Sequence, residues 1–176
     1  MTGKYLFKIV LAGSGGCGKT TLLNRYTTGQ FNSDTKMTIG VDFAVHYLEL
    51  SEDLGTATLQ IWDFGGEERF RTMLPSFCQG ASGALLFFDL VRTHTFYELD
   101  EWISIIRRNT QNIPIILLGA KYDLIENPRD LNIDPQQVMS FIRFNKIKGY
   151  LSISSKTGYN VNESFDKLAE LMIKPK

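Results

Sequence analysis

The chain alternates between short apolar runs and stretches whose apolar residues recur with helical spacing. The apolar runs predict six strands, at residues 5–13, 41–50, 57–63, 83–90, 113–121 and 150–154. The helical spacing predicts helices at residues 18–28, 93–108, 132–144 and 160–173. The third helix has its own start signal, because Asp134 is a candidate N-cap and Pro135 suits the first helical position.

The second predicted strand has a different pattern from the others. Its apolar residues alternate, with Val41, Phe43, Val45 and Tyr47 on one face, which is typical of a strand with one face wetter than the other. The turn-forming segment SEDLGT, residues 51–56, leads into the next run. We therefore expect these two strands to form a hairpin.

This order of elements predicts an α/β fold. Near-continuous apolar strands that alternate with helices are typical of a mostly parallel sheet covered by helices on both faces. Ligands bind such sheets at the carboxyl ends of the strands, so the loops after residues 12, 63, 89, 119 and 153 are candidate sites. A length of 176 residues predicts one domain, 1–176.

Composition narrows the class of protein. The formal net charge is zero, which argues against a nucleic-acid partner bound through its phosphates. Two cysteines give no disulfide framework and favour a reducing, cytoplasmic setting. No apolar run is long enough for a membrane span, and LAELMIKPK at the C-terminus has no cysteine for prenylation. We expect no lipid anchor in this chain, so membrane association would need a further tail or a partner.

The most specific motif is GSGGCGKT at Gly13–Thr20, which we call the phosphate loop. It fits the pattern G-x-x-x-x-G-K-[ST] and lies between a predicted strand and a predicted helix, as the motif requires. Backbone N–H groups of such a loop surround an anion, the lysine reaches the β- and γ-phosphates, and the hydroxyl binds Mg²⁺. The predicted phosphate-binding residues are Gly15, Gly16, Cys17, Gly18, Lys19, Thr20 and Thr21.

A second motif indicates which base is bound. The segment GAKYDL at residues 119–124, which we call the base loop, follows a buried strand, and SSKTG follows the last one. The Asp123 carboxylate can accept two hydrogen bonds from guanine, whereas adenine presents no such donor pair. The stem of Lys121 can lie along the plane of the base. We include Leu124 in the predicted base site.

With these motifs, the chain resembles the Ras-like small GTPases, in particular the Rab branch and the septation-initiation GTPases. The resemblance covers nearly the whole chain and also rests on TIGVDF (38–43), WDFGGEERF (62–70) and SSK (154–156). It implies the P-loop small-GTPase fold, with a six-stranded sheet that contains one antiparallel strand. It also implies a GTP/GDP switch that involves residues 31–43 and 63–76.

The resemblance implies further roles for single residues. Thr38 would ligate Mg²⁺ together with Thr20 and would contact the γ-phosphate through its backbone. Asp63 would hold the metal through water, and the N–H of Gly66 would bind the γ-phosphate. Gly65 and Gly66 would form the hinge of the second switch.

On the base side, the resemblance implies four more contacts. Phe31 would pack edge-on against guanine. Ser155 would donate its backbone N–H to the base oxygen, with Ser154 and Lys156 beside it.

Two positions depart from the family pattern. Ala120 replaces the asparagine that normally bonds the base and ties this loop to the phosphate loop, so we expect about tenfold weaker binding with unchanged selectivity. Glu67 replaces the glutamine that orients the attacking water in Ras. The predicted catalytic residues are Lys19, Thr38, Gly66 and Glu67. We also expect Cys17 to lie near the phosphates with a lowered pKa.

The leading hypothesis is a regulatory GTPase, a weak GTP hydrolase that binds GTP or GDP with Mg²⁺. Its partners would be an exchange factor, a GTPase-activating protein and effectors that contact the two switches. An alternative is a guanine-nucleotide-binding scaffold with negligible hydrolysis, which Ala120 and Glu67 favour. A P-loop kinase is a third possibility, but it would need an arginine-bearing lid and an acceptor site, and the region after the phosphate loop contains TIGVDF and a predicted hairpin instead.

Overall fold

The strands form one mixed sheet. The computed structural model describes residues 5–34, 36–127, 131 and 133–173. Its strands are β1 Tyr5–Gly13, β2 Val41–Glu49, β3 Thr56–Phe64, β4 Gly83–Asp89, β5 Ile115–Ala120 and β6 Gly149–Ser152. Their order across the sheet is β2-β3-β1-β4-β5-β6. All neighbours are parallel except the β2–β3 hairpin, so the predicted fold class and the predicted hairpin are confirmed.

Seven α-helices lie in the described part of the chain. They are α1 Lys19–Thr28, α2 Glu68–Arg71, α3 Leu74–Cys78, α4 His94–Tyr97, α5 Leu99–Asn109, α6 Pro135–Phe144 and α7 Val161–Ile173. The predicted N-cap of α6 is confirmed, because the Asp134 side chain accepts a hydrogen bond from the N–H of Gln136 at 2.8 Å. The sequence pattern did not predict α2 and α3.

The helix predicted over residues 93–108 is wrong in one respect, because it is divided at Glu98 into α4 and α5. Thr95 anchors α4 to the end of β4. Its hydroxyl accepts from the N–H of Asp89 at 2.9 Å and donates to the carbonyl of Arg92 at 2.6 Å. These bonds hold the start of α4 against the end of β4, and the apolar spacing alone does not contain them.

The core lies in two layers, one on each face of the sheet. Val10 and Ala12 of β1 face one layer, where they meet side chains of α3 and α5. Ile9 and Leu11 face the other layer, with α1 and α7. Because β1 and β4 are buried on both faces, their carboxyl ends have little freedom to move. The loops that follow them start from fixed positions.

The edge strand β2 has its wetter face where the sequence places aromatic residues. Phe43 and Val45 are each 45% exposed and Tyr47 is 65% exposed, whereas Ala44, His46 and Leu48 of the opposite face are partly buried. The Phe43 ring lies 4.9 Å from that of Trp62 on β3. The outer face of this hairpin therefore presents an apolar surface, which we call the edge surface (Phe43, Val45, Tyr47 and Trp62). None of the helices described is long and apolar enough to cross a membrane.

Candidate functional site

A cavity of about 540 Å³ opens at the carboxyl edge of the sheet. The strands supply the phosphate loop after β1, the end of β3, and the loops after β5 and β6. Its lining contains 15 of the 18 predicted site residues: Gly15, Gly16, Cys17, Gly18, Lys19, Thr20, Thr21, Phe31, Thr38, Gly66, Lys121, Asp123, Leu124, Ser155 and Lys156.

 Lys156 is exposed at the rim. The three predicted residues that do not line the cavity are Asp63, Glu67 and Ser154.

The phosphate loop directs backbone N–H groups and a helix terminus toward this cavity. Gly18 is the N-cap of α1 and has a φ of 94°, a left-handed conformation that glycine adopts without steric cost. Lys19, which is 5% exposed, donates from its Nζ to the carbonyls of Gly13 at 2.7 Å and Ser14 at 3.0 Å. Burial lowers the pKa of Lys19. The helix terminus and the lysine together give this end of the cavity positive potential, which suits an anion.

Thr20, Thr38 and Asp63 meet beside the phosphate loop. The two threonine Oγ1 atoms lie 2.6 Å apart, and the Thr20 hydroxyl donates to Asp63 Oδ2. Asp63 is fully buried, and its Oδ1 has no hydrogen-bond partner. Burial is the main cause that raises the pKa of Asp63. A buried carboxylate oxygen without a partner, next to two hydroxyls, fits the oxygen ligands that Mg²⁺ prefers.

The two glycines of WDFGGEERF are required by close approach. The N–H of Gly65 donates to the carbonyl of Gly40 at 2.8 Å, and an added Cβ would lie 2.6 Å from the carbonyl oxygen of Thr38. An added Cβ at Gly66 would overlap the backbone of Gly15. The second switch therefore contacts both the first switch and the phosphate loop through its backbone. Their role as a hinge stays a prediction.

Glu67 is held outside the cavity by its own segment. Arg69 Nε lies 2.6 Å from Glu67 Oε2, and the Glu67 side chain is 29% exposed. The Arg69 guanidinium also lies 4.7 Å from the centre of the Phe70 ring. In this arrangement the Glu67 carboxylate is paired with a cation instead of facing the cavity.

A polar chain connects the phosphate loop to the second switch through α5. The Ser14 hydroxyl donates to Glu98 Oε2, and Arg71 Nη2 lies 3.5 Å from the same oxygen. Arg71 also bonds Glu101 and lies 5.0 Å from the centre of the Trp102 ring. Arg71 is therefore packed on α5, whereas Arg69 is 63% exposed.

On the base side, Asp123 is oriented by a residue behind it. The Ser154 hydroxyl donates to Asp123 Oδ1 at 2.7 Å, and the N–H of Thr157 donates to Ser154 Oγ at 3.1 Å. Ser154 is 1% exposed, so it holds the carboxylate without lining the cavity. Leu124 and Phe31 lie at the rim, 52% and 40% exposed.

The expectation for the Cys17 thiol is wrong. Its side chain is fully buried among residues of α1 and the sheet, and burial raises its pKa against the smaller opposing effects of Lys19 and Arg92. The thiol packs into the core beneath the loop, although Cys17 is among the residues that line the cavity.

Sequence reasoning missed several residues at this site. Asn32, Ser33, Lys36, Met37 and Phe64 also line the cavity. Arg92 lies beneath the phosphate loop and donates to the carbonyl of Gly15 at 3.0 Å. The only sequence signal for Arg92 is its place three residues after Asp89, at the end of a buried strand.

Comparison with known proteins gives consistent results. A family model described as the Ras family matches residues 8–174. The chain is similar to the Ras-related protein Rab-11C of Dictyostelium discoideum, 39% identical over 94% of this chain and 71% of that protein. It is 34% identical to the Ypt/Rab-type GTPase ypt7 of Schizosaccharomyces pombe, over 97% of this chain and 83% of that protein. It is also 44% identical to the Ras-related protein RABA1b of Arabidopsis thaliana, over 68% of this chain and 55% of that protein.

Proposed function

Because the chain belongs to the Ras family of small GTPases, we propose that its cavity binds GTP and GDP with Mg²⁺ and that the protein hydrolyses GTP slowly. One observation carries this proposal: a single cavity is lined by the phosphate loop, by Thr38 and Gly66 of the two switches, and by Lys121 and Asp123 of the base loop. A nucleotide needs all of these contacts at once.

Each part of the nucleotide has a matching part of the chain. The phosphates would lie over the N-terminus of α1, where Lys19 and backbone N–H groups donate to them. The Asp123 carboxylate, oriented by Ser154, would accept two hydrogen bonds from guanine, whereas adenine presents no such donor pair. The selectivity for guanine is thus a property of one oriented side chain.

Thr20, Thr38 and Asp63 would hold Mg²⁺. When bound, the metal neutralises charge on the phosphate oxygens. The chain itself contributes donors at Lys19 and at the N–H of Gly66, and both can stabilise the charge that develops on the γ-phosphate. Loss of the γ-phosphate would remove the ligand that residues 31–43 and 63–76 both contact, so the two segments would loosen. This change is the basis of the proposed switch.

Partner binding would depend on the two switches and the edge surface. The edge surface adjoins the first switch in the chain, because Phe43 belongs to both. It presents Phe43, Val45 and Tyr47 to solvent. A change in the first switch would therefore alter a neighbouring apolar surface. Exchange factors, GTPase-activating proteins and effectors are the classes of partner that such a surface would serve.

Calorimetric titration with GDP and with ADP, both with Mg²⁺, tests the proposed ligand. We expect GDP to bind at least ~10²-fold more tightly, because adenine leaves the Asp123 carboxylate unpaired. Equal affinities for GDP and ADP would contradict the assignment.

A second candidate function is a guanine-nucleotide-binding scaffold with negligible hydrolysis. The ion pair between Glu67 and Arg69 favours it, because a carboxylate engaged there does not orient water. Phosphate release over several turnovers separates the candidates. Release beyond one equivalent per protein supports a hydrolase, and no release from GTP that binds normally supports the scaffold.

A further inference from the structure

Asp89 is a buried carboxylate that two cations share. It is fully buried at the carboxyl end of β4, and its Oδ2 accepts from Arg92 Nε at 2.8 Å and from Lys121 Nζ at 2.7 Å. Its Oδ1 accepts from the N–H of Val91 at 3.0 Å. Burial alone would raise the pKa of Asp89, but the hydrogen bonds from Lys121 and Arg92 outweigh it and hold that pKa below its usual range.

Arg92 extends this pair to the phosphate loop. While its Nε bonds Asp89, its Nη2 donates to the carbonyl of Gly15 at 3.0 Å. The same Nη2 would lie 3.1 Å from a Cβ at Gly16, so the guanidinium supports the underside of the loop. Arg92 does not line the cavity. Its planar fork is suited to two acceptors at once, which a lysine cannot reproduce.

Lys121 extends the pair to the base loop. Its backbone is left-handed, with a φ of 64°, and it begins the short 3-10 turn Tyr122–Leu124 that carries Asp123. Its ammonium group bonds Asp89 Oδ2, and the residue lines the cavity. The phosphate loop and the base loop, far apart in sequence, are thus joined through one carboxylate.

The residue next to Lys121 gives this connection its significance. Ala120 is 4% exposed and lines the cavity, and its methyl group offers no hydrogen bond to either loop. We propose that the bridge Arg92–Asp89–Lys121 takes over the side-chain tie between the two loops that Ala120 cannot make, and that Arg92 is thereby a positioning residue for the nucleotide. This proposal rests on the proposed nucleotide binding.

The expected consequence is slow nucleotide release. A nucleotide spans both loops, so a fixed distance between them favours the bound state. Without the guanidinium, the Gly15 carbonyl and the Asp89 carboxylate each lose a charge-assisted hydrogen bond. We expect Arg92→Ala to release fluorescent methylanthraniloyl-GDP about tenfold faster than the natural chain, which corresponds to about one such bond.

Dissociation rates of this GDP analogue test the proposal in two backgrounds, the natural chain and Arg92→Ala. Arg108→Ala, which removes an exposed arginine of α5, is the matched control and should leave the rate unchanged. Arg92→Lys should lie close to Arg92→Ala, because a single ammonium nitrogen cannot occupy both positions that Nε and Nη2 of Arg92 take beside Asp89 and Gly15. Ala120→Asn should slow release about tenfold in the Arg92→Ala background but less than about threefold in the natural chain.

Three results would overturn the proposal: a natural release rate in Arg92→Ala, an equal effect of Ala120→Asn in both backgrounds, or no effect of it in either. If Arg92→Ala does not fold, Ala120→Asn in the natural chain decides alone. There, tenfold slower release contradicts the bridge and less than threefold supports it. Failure of the natural chain to bind GDP would instead refute the proposed function.

Discussion

The two sides of the cavity are held in different ways. On the base side, Asp123 and Lys121 are fixed by side chains from neighbouring elements, Ser154 and the fully buried Asp89. On the switch side, every described residue from 29 to 40 is exposed except Thr38 and Gly40, and no helix or strand is present in that stretch.

The second switch likewise contains little regular structure. Its helices α2 and α3 have four and five residues, and α2 has no buried side chain. Its links to the phosphate loop and the first switch are backbone contacts at Gly65 and Gly66, the hydroxyl cluster around Asp63, and the indirect polar chain through Glu98. Because α2 and the first switch make few buried contacts, their local stability is low, and a ligand that bonds both switches can change their order. The residues proposed to recognise the base and those proposed to respond to the γ-phosphate therefore lie on opposite sides of one cavity.

The largest effect is expected at Lys19 of the phosphate loop, which both sides of the cavity share. Lys19→Ala should weaken GDP binding roughly 10³-fold, because it removes two charge-assisted hydrogen bonds to phosphate. Calorimetry measures this, and Lys148→Ala, on an exposed lysine, is the control. A loss below tenfold would show that the phosphates do not lie over this loop.

The next prediction concerns a substitution on the base side only. Asp123→Asn should weaken GDP binding about 10²-fold and improve binding of xanthosine diphosphate, because an amide can donate to the xanthine oxygen. Competition of both nucleotides against a fluorescent analogue measures the change. Asp53→Asn, in the exposed β2–β3 turn, should behave as the natural chain. An unchanged preference for guanine in Asp123→Asn would contradict the assigned role.

Much of the base side could be predicted from the sequence, because short motifs directly after buried strands define it. Lys121 and Asp123 are such residues, and the parallel sheet brings them to the same edge as the phosphate loop. The bridge at Arg92 could not be predicted, because it depends on where a long side chain points after a tight turn. The burial of Cys17 was missed for a related reason, since the motif describes the backbone and not which way each side chain faces.

The switch side was less predictable. The break at Glu98 and the exposure of the aromatic face of β2 are features that the apolar spacing does not contain. The pattern of β2 was read correctly as two-faced, but alternation does not say which face meets solvent. An apolar face that binds a partner has the same sequence pattern as one that faces the core.

A smaller effect is expected at Glu67, on the switch side. Glu67→Gln should hydrolyse pre-loaded GTP at the same rate or up to about tenfold faster, from a natural rate no higher than the ~10⁻⁴ s⁻¹ scale. An ionised glutamate can only accept hydrogen bonds, whereas glutamine can also donate to a phosphate oxygen.

Single-turnover hydrolysis across pH 6–8.5 measures this, with Glu68→Gln as the control in the adjacent exposed position. We expect little pH dependence in either protein. A tenfold slower Glu67→Gln, with a natural rate that rises through one ionisation, would show that the carboxylate acts as a base.

The smallest effect is expected at Cys17. Because burial raises its pKa, little thiolate is present at pH 8, and alkylation should be slow both with and without GDP. A Cys78→Ser background restricts alkylation to Cys17. Denaturant should expose the Cys17 thiol and make its alkylation fast. Rapid alkylation of the native protein that GDP blocks would place the thiol at the phosphates.

The most direct test of the contrast between the two sides is amide hydrogen exchange with bound GDP and with a non-hydrolysable GTP analogue. The account predicts slower exchange with the analogue in residues 31–43 and 63–76, and equal exchange in residues 115–125 and 149–158. Equal exchange in both switches, or changes of similar size on the base side, would contradict it.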